Sequence, residues 1–143
     1  MIANFFCYGP FAKGQTHYKK IVNLIESEKR AFAKGKVYQL RCGMPAFIAS
    51  DEGELVDGHM LELKVTNSFW SIMDELMGYD PQKPDKNLFQ RSQFPIKVGD
   101  FSTQLAWSYT INPKKITRGL KLVSENDWQN YLKKNHTVLD ILE

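Results

Sequence analysis

The apolar run Phe5-Phe6-Cys7-Tyr8 halts at Gly9-Pro10, and Phe11-Ala12-Lys13-Gly14 follows. A strand that stops on Gly-Pro before small and basic residues can turn backbone N–H groups towards a ligand. Three roles suit such a loop: a phosphate cradle, a pocket for a small acid, or a plain turn. The phosphate role lacks its motifs. Gly9 and Gly14 have the P-loop gap, but Gln15-Thr16 stand where GxxxxGK[ST] requires Lys, and GxGxxG is absent. His17, His59 and His136 lie far apart without ligand spacing. They read as solvated or hydrogen-bonded side chains, and neither a metal nor any other cofactor is expected. Cys7 and Cys42 have neither CxxC spacing nor a nearby His. Cys7, inside a strand, reads as buried and inert. No GxSxG or Cys–His signature supports a nucleophile.

The elements that must position the loop follow from periodicity. Residues 2–8 suit a buried strand. From Thr16 to about Arg30, Tyr18, Ile21, Val22 and Ile25 fall at helical spacing, which predicts a helix there. Strands are expected around Val37–Leu40, over 45–50 and over 56–65, with a turn at Asp51-Glu52-Gly53-Glu54. Residues 67–77 carry the clearest helical signal: Asn67 as cap, the stripe Phe69, Ile72, Met73 and Leu76, and Gly78 as terminator. A loop through Pro81 and Pro84 leads to two antiparallel strands, residues 89–98 and 100–111, joined at Gly99-Asp100. Ser124 and Asp127 have capping-box spacing and open a short helix through Trp128 and Leu132. This order predicts one α+β domain over residues 1–143, with a mostly antiparallel sheet curled around a pocket.

Composition narrows the partners. A net charge of +3 comes with scattered lysines and no basic stripe interleaved with aromatics, which argues against nucleic acid. No apolar run approaches the roughly 18 residues that span a bilayer, so no membrane is expected. The start, MIANFFCYG, lacks a basic leader and reads as a first strand rather than a signal peptide. Two free thiols fit a reducing compartment, which places the protein in the cytoplasm. The sequence assigns no oligomeric state.

Beyond these readings, the chain resembles the gamma-glutamylcyclotransferase-like family of small bacterial and plant single-domain proteins. Tyr8-Gly9-Pro10-Phe11-Ala12-Lys13-Gly14 is similar to the family's YG[ST]L-x-x-G opening. Gly35-Lys36-Val37-Tyr38-Gln39-Leu40 is similar to G-x-L-Y-x-L, Met44-Pro45-Ala46 to Y-P-A, and Val56 to Met60 to V-x-G-E-L. Met73 to Tyr79 is similar to L-D-x-L-E-G-Y, Phe89-Gln90-Arg91 to Y-x-R, and Ala106 to Tyr109 to A-W-V-Y. Asn126-Asp127-Trp128 is similar to the G-D-W of the small bacterial members. Each piece is weak alone, but their shared order over residues 5–128 is specific.

The resemblance implies a small mixed, mostly antiparallel β-barrel with flanking helices and a pocket at one mouth, with Tyr8–Phe11 at its rim. It implies a small-molecule ligand, either a γ-glutamyl compound or a small carboxylic acid. The family's enzymes let the α-amine of a γ-glutamyl compound attack its own side-chain amide, closing 5-oxoproline and expelling an amine without a cofactor. Ring closure is already intramolecular, so positioning and one general base nearly suffice. Tyr8, Gly9, Pro10, Phe11 and Tyr109 are the residues implied to bind substrate.

The family's catalytic glutamate is here Met77. A thioether accepts no proton at neutral pH, and loss of a general base costs roughly 10²–10⁴-fold in rate. Glu75 points elsewhere around the helix, while Asp74, one turn back, shares a face with Trp70 and Met73. Asp74 is thus the candidate substitute, with a purely hydrogen-bonding role as the plainer reading. Pro10, where Ser or Thr is usual, deletes one backbone N–H from the loop. Two functions stand: a weak enzyme or ligand-binding pseudoenzyme, or an active cyclotransferase with Asp74 or another group as base.

Overall fold

In a computed structural model the chain is described over residues 1–8, 16–39, 45–83, 86–99, 102–115 and 121–123. The first strand, β1 (Ile2–Cys7), ends in the apolar run Phe5-Phe6-Cys7, buried on both faces, while Ile2 is exposed and Asn4 is only partly buried. Phe6 packs with Ala31, Val37, Phe47, Met60 and Phe94 inside the barrel. Ala3, Phe5 and Cys7 face the other way, into a second core with Ile21, Leu61, Phe69 and Met73.

The barrel is built from β1, β2 (Ile25–Gln39), β4 (Glu54–Lys64), β5 (Phe89–Val98) and β6 (Ser102–Ile111). Strand β2 pairs β4, β4 pairs β1, β1 pairs β6, β6 pairs β5, and β5 returns to β2. The β1–β6 pair is parallel, with Phe5 opposite Trp107, and the other four are antiparallel. The result is the expected small mixed, mostly antiparallel barrel. Closure between β2 and β5 is brief: Ala31 opposite Val98 and Phe32 opposite Lys97. Beyond it, the far half of β2 carries β3 (Pro45–Ala49) on one edge and β7 (Lys121–Val123). Gly35 makes this exchange of partners possible, since a Cβ there would lie 2.2 Å from the Ile48 carbonyl oxygen.

Helix α1 (Thr16–Ile21) and helix α2 (Phe69–Met77) flank the barrel. The helix expected over 16–30 is therefore much shorter. A 3₁₀ turn, Val22–Leu24, follows α1, and residues 25–30 belong to β2. The apolar spacing there was compatible with a helix, but the backbone of 25–30 finds its partners on β4, from Ile25 opposite Leu63 to Arg30 opposite His59. Pairing across the sheet overrides a short local periodicity. Helix α2 begins at Phe69 rather than 67, with Ser68 at the cap position and no side-chain cap bond, so Asn67 does not cap it. Its buried residues are Phe69, Met73 and Asp74, whereas Ile72 is exposed. Strand β7 had no counterpart in the sequence reading. The expected strand residues Leu40 and Asp100, and the helix opened by Ser124 and Asp127, lie outside the described residues. Among the described residues no helix is long and apolar enough to cross a membrane.

Candidate functional site

Strand register makes the first link in the site. Arg91 on β5 lies directly opposite Tyr109 on β6, so both side chains leave the same face of the sheet. Helix α2 covers that face. On it, Trp70 and Asp74 are one turn apart and project together. The Asp74 carboxylate accepts a hydrogen bond of 2.5 Å from the Tyr109 hydroxyl on Oδ1. The same oxygen faces Arg91 Nε at 3.4 Å. Asp74 is buried, and a buried carboxylate is tolerated when paired and hydrogen-bonded, as here. Burial, reinforced by the hydrogen bond and charge of Asp74, pushes the Tyr109 hydroxyl far above its ordinary range. It stays protonated and serves as a donor.

The Arg91 guanidinium is held by more than charge. It sits 4.7 Å from the Trp70 ring centroid and 5.3 Å from that of Tyr79. Tyr79 reaches this position because α2 ends in a Schellman turn. Gly78 adopts φ 65°, and Gly78 N–H donates to the Glu75 carbonyl while Tyr79 N–H donates to that of Asp74. The reversal returns the Tyr79 ring to within 6.2 Å of Tyr109. Met77 is the last residue of the helix, half-buried against the outer core.

Tyr8 is tied to the same network from inside the barrel. Its hydroxyl donates to the backbone carbonyl of Tyr109 at 3.0 Å and accepts from Phe47 N–H at 2.8 Å. Tyr109 is thus a hub, with its carbonyl on Tyr8 and its hydroxyl on Asp74. Across the loop from Tyr8, His17 makes a hydrogen bond with the backbone of Leu76, which sets the start of α1 against the end of α2. Burial, with Lys20 adding to it, holds the His17 imidazole below its ordinary range against the opposing effect of that bond. Cys7 is a buried free thiol, pushed upwards first by burial and then by Glu28, and is inert.

Of the residues singled out in the sequence, Tyr109 meets Tyr8 through its carbonyl and Asp74 through its hydroxyl, and Met77 stands one turn along from Asp74. Gly9, Pro10, Phe11 and Cys42 lie outside the described residues. A cavity of about 580 Å³ is present, but Tyr8 does not line it, nor do Asp74, Met77 or Tyr109. The expected pocket rim at Tyr8–Phe11 falls mostly on residues outside the described ones; of Tyr8 itself, the ring packs in the barrel core and the hydroxyl bonds Tyr109 and Phe47. Sequence reasoning named Arg91, Trp70 and Tyr79 without giving them roles. The charge pairing of Arg91 with a buried Asp was the available signal, but it needs the β5–α2 contact to be seen.

The family model for gamma-glutamyl cyclotransferase, AIG2-like, matches residues 5–130. The chain belongs to this family. Comparison with curated proteins finds no match. Among solved structures, YkqA from Bacillus subtilis superposes with a TM-score of 0.67 at 16% identity, over 94% of this chain and 42% of that one. The chain thus spans less than half the length of YkqA. A solution structure from Arabidopsis thaliana gives 0.65 at 18% identity, covering 94% of this chain and 75% of its own. An AIG2-like protein from Mus musculus gives 0.60 at 17% identity, covering 79% and 81% respectively. At such identities these likenesses speak for the fold.

Proposed function

We propose that this chain is a ligand-binding member of its family that has lost the family reaction. It holds a small carboxylic acid or γ-glutamyl compound at the Tyr8–Phe11 loop and lacks an efficient general base. The observation that carries this reading is the state of the carboxylates around Met77. Asp74 shares one oxygen between the Tyr109 hydroxyl and Arg91, and Glu75 is exposed on another side of the helix. Buried and with that oxygen already engaged by the hydroxyl and the guanidinium, the Asp74 carboxylate offers little access to a substrate ammonium. In this role Asp74 and Tyr109 fix the wall of the site. The buried free Cys7 supports residence in the cytoplasm.

The test is release of 5-oxoproline from several γ-glutamyl amines. The unaltered protein should give background rates, while Met77→Glu should restore turnover. A new carboxylate at the end of α2, near the negative end of its dipole and half-buried, has its pKa raised towards the range useful for a base. Robust turnover by the unaltered chain would overturn the proposal. Loss of that turnover in Asp74→Asn would then favour the second reading, an active cyclotransferase with Asp74 as base, for which its burial one turn from Met77 speaks. Binding itself is read as a rise in melting temperature with glutamate or 5-oxoproline, which scales as RT ln(1 + [L]/Kd).

A further inference from the structure

The cavity of about 580 Å³ shares no lining residue with the Asp74–Arg91–Tyr109 network and lies further along β5 and β6, where Lys97 stands opposite Thr103. It opens along the seam where the barrel closes. Strand β5 leaves β2 after Phe32, and β3 joins β2 at Gly35, so a short stretch of β2 edge lies between two partners. The Lys34 carbonyl in that stretch is satisfied by Ser50 N–H at 3.0 Å, which leaves the backbone content and the side chains free to line a hollow. Its walls are Phe32, Leu55, Phe94, Pro95 and Ile96. Phe94 and Ile96 also belong to the barrel core, so the hollow reaches down to the interior of the molecule.

The rim is basic. Lys34 and Lys97 line the cavity, and among the described residues neither forms an ion pair, although Lys29, Arg30, Lys64 and Arg91 all do. Asp51 is the one carboxylate among the lining residues, and Ser50 and Thr103 add hydroxyls. An apolar hollow of this size falls in the range of small-molecule sites, roughly 300–1,000 Å³, which bury an apolar body and fix its orientation with few polar groups. Two ammoniums against one carboxylate select an anionic head.

We infer that the β2–β5 seam is a second ligand site, which takes a small amphipathic carboxylate: an alkyl or aryl chain laid on Phe32, Phe94 and Ile96 and a carboxylate at Lys34 and Lys97. This site is independent of the proposed function at the Tyr8 loop and shares no residue with it. It gives the fold a place for an apolar acid that a γ-glutamyl pocket, built for a polar head, does not supply.

The probe is sodium octanoate, compared with 1-octanol and octylammonium by titration calorimetry on the full chain. Octanoate should bind at least about tenfold more tightly than either chain-matched competitor, and less tightly as salt is raised. Lys34→Gln combined with Lys97→Gln, both on the exposed rim, should erase the preference for octanoate. Ala49→Trp, which fills the hollow, should abolish binding of all three. Equal affinity for octanoate and octanol, or octanoate binding unmoved by the double lysine variant, would overturn the proposal. So would octanoate binding that survives Ala49→Trp, which would place the ligand elsewhere, at the Tyr8 loop. Absence of octanoate binding would overturn it outright.

Discussion

Asp74 Oδ1 is the atom on which most of the site converges. Its partners differ in kind: Tyr109 donates from a neutral hydroxyl held protonated by burial, and Arg91 brings a delocalised cation that lies over Trp70 and Tyr79. Removing the carboxylate strands both. Asp74→Ala should cost about 3 kcal/mol of unfolding free energy, the scale of breaking a buried pair from one side. Tyr109→Phe should cost about 1.5–3 kcal/mol, as for hydrogen bonds to charged groups. Because both act on one oxygen, the double variant should cost less than the sum, measured by urea unfolding in a double-mutant cycle. His17 gives a pH-dependent counterpart. Its folded-state pKa lies below the ordinary 6.5, so the unfolded chain binds the proton more readily. Its contribution is present above about pH 6.5 and lost as pH falls below that value. The melting temperature should therefore decline through that window, and His17→Gln should flatten the decline. A decline unchanged in His17→Gln would assign it to other groups.

Helix α2 was legible in the sequence because its signals are local: an apolar stripe with Gly78 just past its end. The strands β5 and β6 were legible for the same reason, with a turn at Gly99 between alternating runs. What failed was the stretch 16–30, where a helical spacing of four apolar residues competed with a β4 edge that the sequence does not display. Asp74 was legible as a candidate, but its partners were not, since Arg91 and Tyr109 reach it only through sheet register. Gly78 ties these levels together. A Cβ there would meet nothing within 4 Å, so the cost of substitution is purely conformational. Gly78→Ala should destabilise by about 1–2 kcal/mol through its left-handed backbone, and Gly78→Asn by less. Since Gly78 aims Tyr79 at Arg91, both variants should also shift Trp70 fluorescence. Gly35→Ala is of another class, because the new Cβ would collide with the Ile48 carbonyl and the Phe47 ring, and failure to fold is expected.

At the scale of the whole molecule, the barrel joins the first strand to one of the last. No local signal announced that closure; only the family resemblance pointed to it. Yet β1 is central, flanked by β4 and β6, and its residues Phe5, Phe6 and Cys7 are buried on both faces. The Tyr8 hydroxyl meets the Tyr109 carbonyl across 101 residues of chain, and Ser108 returns the arrangement by donating to the Phe6 carbonyl across 102. Closing such long loops costs entropy before any contact rewards it. Refolding should accordingly run on the slow scale of non-local β topologies, about milliseconds to seconds, in stopped-flow fluorescence from the tryptophans. A bond that forms only once both ends have met belongs to the native side of the barrier. Tyr8→Phe should then leave the refolding rate nearly unchanged and quicken unfolding instead. The tyrosine that the sequence offers as part of a ligand cradle thereby acts as a latch on the lifetime of the folded state.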